Sequence, residues 1–343
     1  MSKVRVKWVD YGKAVGIILM LYGHLNSKWF PALGESIKWI YTFHMPFFFL
    51  LSGIFFSDKK DFKTFFTTKI KSLILPYYVF SILAFVKPIK NVVTNNFSFP
   101  FDVLYIKSVF LDQLIMGNGL WFLMALFGCN IILYAACEVS KHKIRYTACI
   151  VIAVSFFGFF ITKNTDILLP FQILQSMKNV IYVFIGYSFR KKDLFNKIKI
   201  PIAIGLVFIW ISVNLLSLYY YGQEEISDNI MLCFLCAFSM IVGLSVLIKR
   251  LEKNISDCNF LDVSLTYIGC NSLVFYIFND VVLKMIKFVV FIVMGISFEE
   301  NSPLILQLFV GICCIIISLC VLSFITLLVN KYIPWSIGKS KIG

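Results

Sequence analysis

Residues 11–30 read YGKAVGIILMLYGHLNSKWF, and residues 304–329 read LILQLFVGICCIIISLCVLSFITLLV. Each stretch is predominantly apolar and near the length of about 20 residues that a helix needs to cross a bilayer. The whole chain has the same character: of its 343 residues, 59% are hydrophobic and 15% charged, and the mean hydropathy is +0.85. Soluble domains are usually about a quarter charged. The sequence therefore predicts a polytopic helical membrane protein.

Ten segments resemble membrane spans, with approximate bounds 11–30, 37–56, 72–86, 120–137, 146–162, 174–189, 200–220, 229–248, 265–283 and 304–329. Residues 101–116 are interrupted by Lys107 and Asp112, which favours an amphipathic helix at the membrane surface. The region 265–296 is long for one span, so eleven crossings are the alternative. We expect an all-α bundle of about ten transmembrane helices.

The basic residues are divided unequally between the two sides of this layout. Twenty-two of the 32 Lys and Arg residues fall in the tails and the even-numbered connections, nine lie toward the other side, and Lys13 is inside the first span. Because Lys and Arg favour the cytoplasmic side, both termini are predicted to be cytoplasmic. The net charge of +14 is then explained by anionic lipid of the inner leaflet. Nucleic acid is not indicated, since no basic groove carries interleaved aromatic residues.

Two of the three histidines lie in apolar spans, where an ionisable group is costly unless it is paired or hydrated. With the amino end inside, His24 and His44 both fall in the outer half of the membrane, and Asp280 of the ninth span reaches the same depth. Lys13 precedes His24 by about 16 Å along the first helix, on nearly the same face and near the cytoplasmic mouth. This arrangement indicates proton-transfer chemistry with a basic group at the inner end.

Several motifs, in order along nearly the whole chain, resemble those of acyltransferase family 3. They are DYGK at 10–13, GH at 23–24, FHMPFFFLLSG at 43–53, LWFL at 120–123 and IGCNSLVFYIF at 268–278. That family comprises integral-membrane O-acyltransferases, including sugar and polysaccharide O-acetyltransferases. The resemblance implies about ten helices, acetyl-CoA as donor and a sugar hydroxyl as acceptor. It also points to His24 as the central catalytic residue and to the basic position at Lys13 as required.

Two positions depart from the family pattern. Many members carry arginine where this chain has Lys13, and lysine keeps the charge but loses the bidentate fork. Many carry histidine where this chain has Asn279, and asparagine can hydrogen-bond but cannot exchange a proton near neutral pH. We expect a single membrane-embedded acyltransferase domain over residues 1–343, without an appended extracytoplasmic domain, in the inner or plasma membrane of a bacterial cell.

The predicted site has three parts. His24 is the expected general base, and positive charge forming on it needs a partner, for which His44, Glu35 and Asp280 are candidates. The expected contacts of the acetyl-CoA phosphates are Lys13, Lys69 and Lys71. The expected acceptor and oxyanion contacts are Glu35, Trp121, Asn271, Ser272, Tyr276 and Asn279. The expected partners are acetyl-CoA, a sugar or polysaccharide acceptor and membrane lipids. Neither a metal site nor a permanently bound cofactor is expected, and the ten cysteines are read as apolar packing residues.

Structural alternatives stand beside these assignments. A histidine within the membrane can simply bond a carbonyl of another helix, and Lys13 can anchor at the interface. Asp280 can form an ordinary surface pair with Lys284, which is the favoured reading of that carboxylate, and Trp121 can belong to an interfacial aromatic belt. For the whole chain, the rival is a proton-coupled transporter or flippase of a sugar or lipid-linked oligosaccharide. The lack of a visible internal repeat favours the enzyme.

Overall fold

The structure is a computed structural model and describes residues 6–59, 61–82, 101–220, 229–255, 259–299 and 301–339. Every regular element within these ranges is a helix. The end of the predicted third span, at 83–86, lies outside the described residues. Some of the basic residues counted for the two sides also lie outside the described residues: Lys3, Arg5, Lys60, Lys87, Lys90 and Lys341.

The α-helices of the described ranges are α1 (Lys7–Gly23), α2 (Gly34–Tyr41), α3 (His44–Gly53), α4 (Phe62–Lys69), α5 (Leu75–Ser81), α6 (Phe101–Phe110), α7 (Trp121–Val139), α8 (Ile144–Asn164), α9 (Ile173–Lys191), α10 (Leu194–Lys197), α11 (Ile200–Tyr220), α12 (Ile230–Glu252), α13 (Phe260–Cys270), α14 (Ser272–Lys287) and α15 (Leu304–Tyr332). Turns of π-helix occupy Ile70–Ile74, Leu111–Met116 and Phe288–Val293. Turns of 3-10 helix occupy Pro31–Leu33, Pro170–Gln172 and Pro334–Ile337.

Five stretches of the described chain are long and apolar enough to cross a membrane: Leu104–Val139, Ile144–Asn164, Ile200–Tyr219, Ile230–Glu252 and Leu304–Tyr332. For the described residues, this confirms the prediction of an all-helical protein with helices able to span a membrane. The count of about ten transmembrane helices and the cytoplasmic termini stay predictions.

Two predicted spans are interrupted in the structure. The second is divided into α2 and α3 by Thr42 and Phe43, and the Thr42 hydroxyl donates to the carbonyl of Trp39 at 2.6 Å. Pro46 then lies in the first turn of α3, where the missing N–H of proline is tolerated. The ninth is divided into α13 and α14 at Asn271, whose amide donates to the carbonyl of Tyr267 at 2.9 Å. Short polar side chains that bond nearby carbonyls favour helix ends over helix interiors.

The described chain separates into two compact units. The first comprises Met1–Leu51 and Phe189–Tyr332. Its core surrounds α1, and buried side chains such as Ile17 and Leu21 share one cluster with Phe275 of α14 and Leu322 of α15. The backbones of α1 and α13 meet at Gly269, where an added Cβ would lie 2.0 Å from the carbonyl oxygen of Asp10. Glycine is the residue that permits this approach, since every other side chain begins with a Cβ.

The second unit comprises Ser52–Ser188 and Ile333–Gly343. Asp61 caps α4 by accepting the Thr64 N–H at 2.9 Å. His142 lies in the turn between α7 and α8, with its two ring nitrogens 3.6 Å from Asp58 and 3.7 Å from Glu138. The third histidine of the chain thus lies beside two carboxylates of this unit.

Candidate functional site

His24 lies at the carboxyl end of α1. Its backbone N–H donates to the carbonyl of Met20 at 3.0 Å, and the chain then turns away through Asn26, which has a φ of 72°. Asparagine is one of the few residues other than glycine that adopts this left-handed conformation readily at a helix end. The imidazole is half-buried, and no hydrogen bond joins it to another side chain or carbonyl in the described parts of the chain. The ring is therefore available to a reacting molecule.

Lys287, at the end of α14, holds the backbone beneath this ring. Its ammonium donates to the His24 carbonyl at 2.7 Å and lies 3.4 Å from the Leu25 carbonyl. Only 8% of Lys287 is exposed. The last carbonyls of a helix have no partners within it and form the negative end of its dipole, so a cation is favoured there. Nothing in the sequence pattern marked Lys287 for this role.

His44 opens α3 and is 5% exposed. Its Nδ1 lies 3.1 Å from the Ile40 carbonyl, which can only accept, so Nδ1 carries the proton and Nε2 of the neutral ring keeps its lone pair. Tyr41 packs edge-on against this ring at 5.0 Å and donates from its hydroxyl to the Gly23 carbonyl at 3.2 Å. Tyr41, which the motifs did not single out, thereby ties His44 to the end of α1.

Asp280 lies on α14, where it is partly exposed and forms an ion pair with Lys284. The Lys284 ammonium is 2.6 Å from its carboxylate; the Asp280 side chain is 51% exposed and that of Lys284 is 68% exposed. The charges of Asp280, Lys284 and Lys287 lie close enough to act on the His24 ring, and His24 acts on His44 in turn. The structure thus brings His24, His44 and Asp280 into one region of the first unit. We call His24, Tyr41, His44, Asp280 and Lys287 the His24 cluster.

Asn279 is buried beside this cluster at 5% exposure. Its amide nitrogen donates to the Tyr276 carbonyl, while its buried amide oxygen has no hydrogen-bond partner within the described residues. A buried acceptor without a donor calls for an explanation, because leaving it unsatisfied is unfavourable. An acceptor hydroxyl is one group that could satisfy it.

Asn271, by contrast, has a hydrogen-bond partner for both its amide nitrogen and its amide oxygen. Its amide bonds Tyr267, and its oxygen accepts from the amide of Asn330 at 3.1 Å. It shapes the junction of α13 and α14, and Ser272 follows as the first residue of α14.

The other end of α1 carries a paired group of polar side chains. The Lys7 ammonium lies 2.9 Å from the Asp262 carboxylate of α13, and Tyr11 donates to the same carboxylate at 2.6 Å. The Lys13 ammonium lies 3.9 Å from Asp10, and its side chain is 28% exposed. We call Lys7, Asp10, Tyr11, Lys13 and Asp262 the amino-end cluster. It presents a partly exposed cation at Lys13.

The remaining predicted residues belong to neither cluster. Glu35 is exposed on α2 and pairs with Lys38 at 3.3 Å, so it is engaged with that lysine instead of His24. Lys69, Lys71 and Trp121 belong to the second unit. The Lys69 ammonium lies 5.7 Å above the Phe65 ring, Lys71 is exposed in the π-helical turn, and Trp121 opens α7.

A cavity of about 440 Å³ also lies in the second unit, with largely apolar walls that include Phe66, Ile74 and Phe127. None of the three predicted residues of this unit lines it.

A family model described as an acyltransferase domain matches residues 6–326, essentially the whole chain. The match includes α1, α3, α13 and α14, and therefore both clusters. No curated protein and no solved structure matches the chain.

Proposed function

We propose that this chain, which belongs to acyltransferase family 3 by the match over residues 6–326, moves an acetyl group from acetyl-CoA to a hydroxyl of a cell-surface sugar or polysaccharide precursor. The match confirms the resemblance that the motifs indicated. Together with the apolar helices it supports an integral-membrane acyltransferase.

The main support for this proposal is the way in which the backbone and ring of His24 are bonded. Its backbone is fixed on both sides, by Met20 within α1 and by Lys287 from α14, while its ring bonds none of the described residues. A general base needs a ring nitrogen within hydrogen-bond reach of the proton it removes. The His24 ring meets this requirement, because its backbone is held in place while the ring itself forms no hydrogen bond with the described residues.

In the proposed reaction, a neutral His24 accepts the proton of the acceptor hydroxyl while that oxygen attacks the thioester carbonyl carbon. The tetrahedral intermediate collapses, the carbon–sulfur bond breaks, and the departing CoA thiolate takes the proton back from His24. The products are an O-acetyl ester and CoA–SH. General-base assistance of this kind typically contributes about 10²- to 10⁴-fold to the rate.

Asp280 is the proposed partner for the positive charge that forms on His24: its carboxylate lies in electrostatic range of the ring and is shared with Lys284. His44 supports the same region, since its buried ring packs against Tyr41 next to the end of α1. The buried oxygen of Asn279 is suited to accept a hydrogen bond from an acceptor hydroxyl. Ser272 and Tyr276 remain the candidates for donors to the oxyanion.

Lys13 is assigned to the donor. It lies about 16 Å from His24 along an unbroken helix, and its ammonium is partly exposed, as a phosphate contact requires. The proposal places CoA phosphates at this end and the thioester at the other, with the pantetheine arm between them. For Lys69 and Lys71, the phosphate contact stays a prediction from the sequence.

The test is mass spectrometry of cell-surface glycans from a deletion strain complemented with the wild-type gene or with His24→Ala. Wild type should add the mass of one acetyl group to a defined glycan, and His24→Ala should not. Proton-coupled sugar uptake without any acetylated product would contradict the proposal and support the transporter.

A further inference from the structure

We propose that Lys287 is a positioning residue for His24, an inference that rests on the proposed function for its kinetic consequence. Lys287 does not bond the His24 ring; it bonds the carbonyl of the same residue, at 2.7 Å. Through that bond, and the longer one to Leu25, it fixes the point at which α1 ends. The orientation of the His24 Cα–Cβ bond depends on that backbone, so Lys287 sets the direction of the base.

Two lysines of α14 face the same region, and the structure gives them different surroundings. Lys284 is 68% exposed and paired with Asp280, whereas Lys287 is 8% exposed and bonded only to carbonyls among the described residues. Burying an ammonium is unfavourable unless strong acceptors receive it. The carboxyl end of a helix supplies such acceptors, because its last carbonyls are unpaired and partially negative.

A second contact, between aromatic rings, holds the segment that follows the end of α1. Phe291, one turn beyond Lys287, packs against Trp29 at 4.8 Å and against Phe30 at 5.2 Å between ring centroids. Both of these aromatic residues follow His24 closely in the chain. The segment after His24 is thus packed against the residues after α14, and Lys287 supplies the polar bond between them. Together these contacts hold the backbone that carries the His24 side chain.

The consequence is kinetic. A base displaced by a fraction of its hydrogen-bond length lowers the rate of the chemical step, and a misplacement of about 1 Å can cost about 100-fold. The proposed donor contact at Lys13 lies toward the other end of α1 and involves none of these bonds. Loss of Lys287 should therefore reduce kcat and leave the KM for acetyl-CoA nearly unchanged.

The experiment measures CoA release from acetyl-CoA in membrane vesicles of the producing strain, with the amount of protein quantified for each variant. Lys287→Met should lower kcat by about 100-fold with a KM change within about threefold. Lys287→Arg, which keeps a charged donor, should recover much of kcat. Lys284→Met, the matched control, removes one charge from the same helix without touching α1 and should change kcat by less than about tenfold.

Hydrogen–deuterium exchange of the purified protein supplies a measurement that does not require activity. Amides of residues 22–30 should exchange faster in Lys287→Met than in wild type or Lys284→Met. Should Lys287→Met fail to fold, Lys287→Gln retains a neutral donor and should show both effects to a smaller degree. Wild-type kcat and wild-type exchange in these Lys287 variants would overturn the inference. A wild-type protein that releases no CoA would instead remove the proposed function, and the exchange comparison would then decide the role of Lys287 alone.

Discussion

The two ends of α1 are held in different ways. At the amino-end cluster, side chains of α1 bond a side chain of α13: Lys7 and Tyr11 both contact the Asp262 carboxylate. At the His24 cluster, neighbouring helices bond the backbone of α1: Tyr41 contacts the Gly23 carbonyl and Lys287 the His24 carbonyl. The first arrangement uses polar side chains for packing. The second fixes a helix end and leaves an imidazole available for chemistry.

The largest effect is expected from His24→Ala, which removes the available ring. We expect kcat to fall by at least about 100-fold, in line with the loss of a general base. Thermal unfolding should change little, because the backbone bonds to Met20 and Lys287 remain. Initial rates of acetyl transfer in membranes provide the measurement.

His142→Ala is the control for that experiment. This histidine is 43% exposed in the second unit and pairs with Asp58 and Glu138. Its loss should change kcat by less than about threefold. Equal losses of kcat in the two variants would show that both histidines act by stabilising the fold. The two ends of α1 would then no longer differ in function.

A change at Gly269 should weaken the amino-end cluster by pushing α1 away from α13. The Cβ of Gly269→Ala would lie 2.0 Å from the Asp10 carbonyl oxygen, so one backbone must move. Such overpacking typically destabilises by about 1–3 kcal/mol. The midpoint of thermal unfolding in detergent should fall accordingly.

Gly205→Ala is the matched change in α11, where an added Cβ meets nothing within 4 Å. Its unfolding midpoint should be unchanged or slightly raised, since alanine is favoured over glycine inside a helix by about 0.5–1 kcal/mol. An equally unstable Gly205→Ala protein would show that the close approach at Gly269 is not the cause.

Lys13→Ala should act on the donor. Loss of one ammonium–phosphate contact should raise the KM for acetyl-CoA by about tenfold, with kcat within about threefold. Lys13→Arg should restore donor affinity, because arginine binds phosphate at least as well as lysine. An unchanged KM for acetyl-CoA in Lys13→Ala would show that Lys13 does not contact the donor and serves as an interfacial anchor.

The smallest effect is expected from Asp262→Asn. The substitution removes the charge that pairs with Lys7 but keeps an oxygen to accept the Tyr11 hydroxyl bond. The substitution leaves the uncompensated charge on Lys7, the more exposed partner at 28% against 10% for Asp262, so stability should fall by about 1 kcal/mol in thermal unfolding. Acetyl transfer should retain the wild-type kcat; a large loss of kcat would give the amino-end cluster a part in the chemistry.

Much of this comparison was readable from the sequence. An apolar helix ending in histidine, a second histidine in an apolar span and an acidic residue of the ninth span predicted that His24, His44 and Asp280 lie near one another, but not that Tyr41 and Lys287 join them. The spacing of Lys13 and His24 predicted the two ends of α1. These inferences need only helical periodicity and charge asymmetry, which can be read directly along the chain.

The partners of these residues could not be predicted in the same way. Asp262 is 251 positions from Tyr11, so their bond depends on how α1 and α13 pack. Lys284 and Lys287 share a helix face by spacing, yet only the structure shows that one is exposed and the other buried. The interruptions at Thr42 and Asn271 arise from local polar bonds within spans that read as continuous apolar segments.

The most direct test of the division between the two ends combines two measurements on purified His24→Ala and Lys13→Ala proteins: the equilibrium dissociation constant for acetyl-CoA and the turnover number for acetyl transfer. We expect His24→Ala to bind acetyl-CoA like wild type and to transfer almost nothing. We expect Lys13→Ala to bind it more weakly and, at saturation, to turn over like wild type. A His24→Ala protein with wild-type turnover would contradict the account.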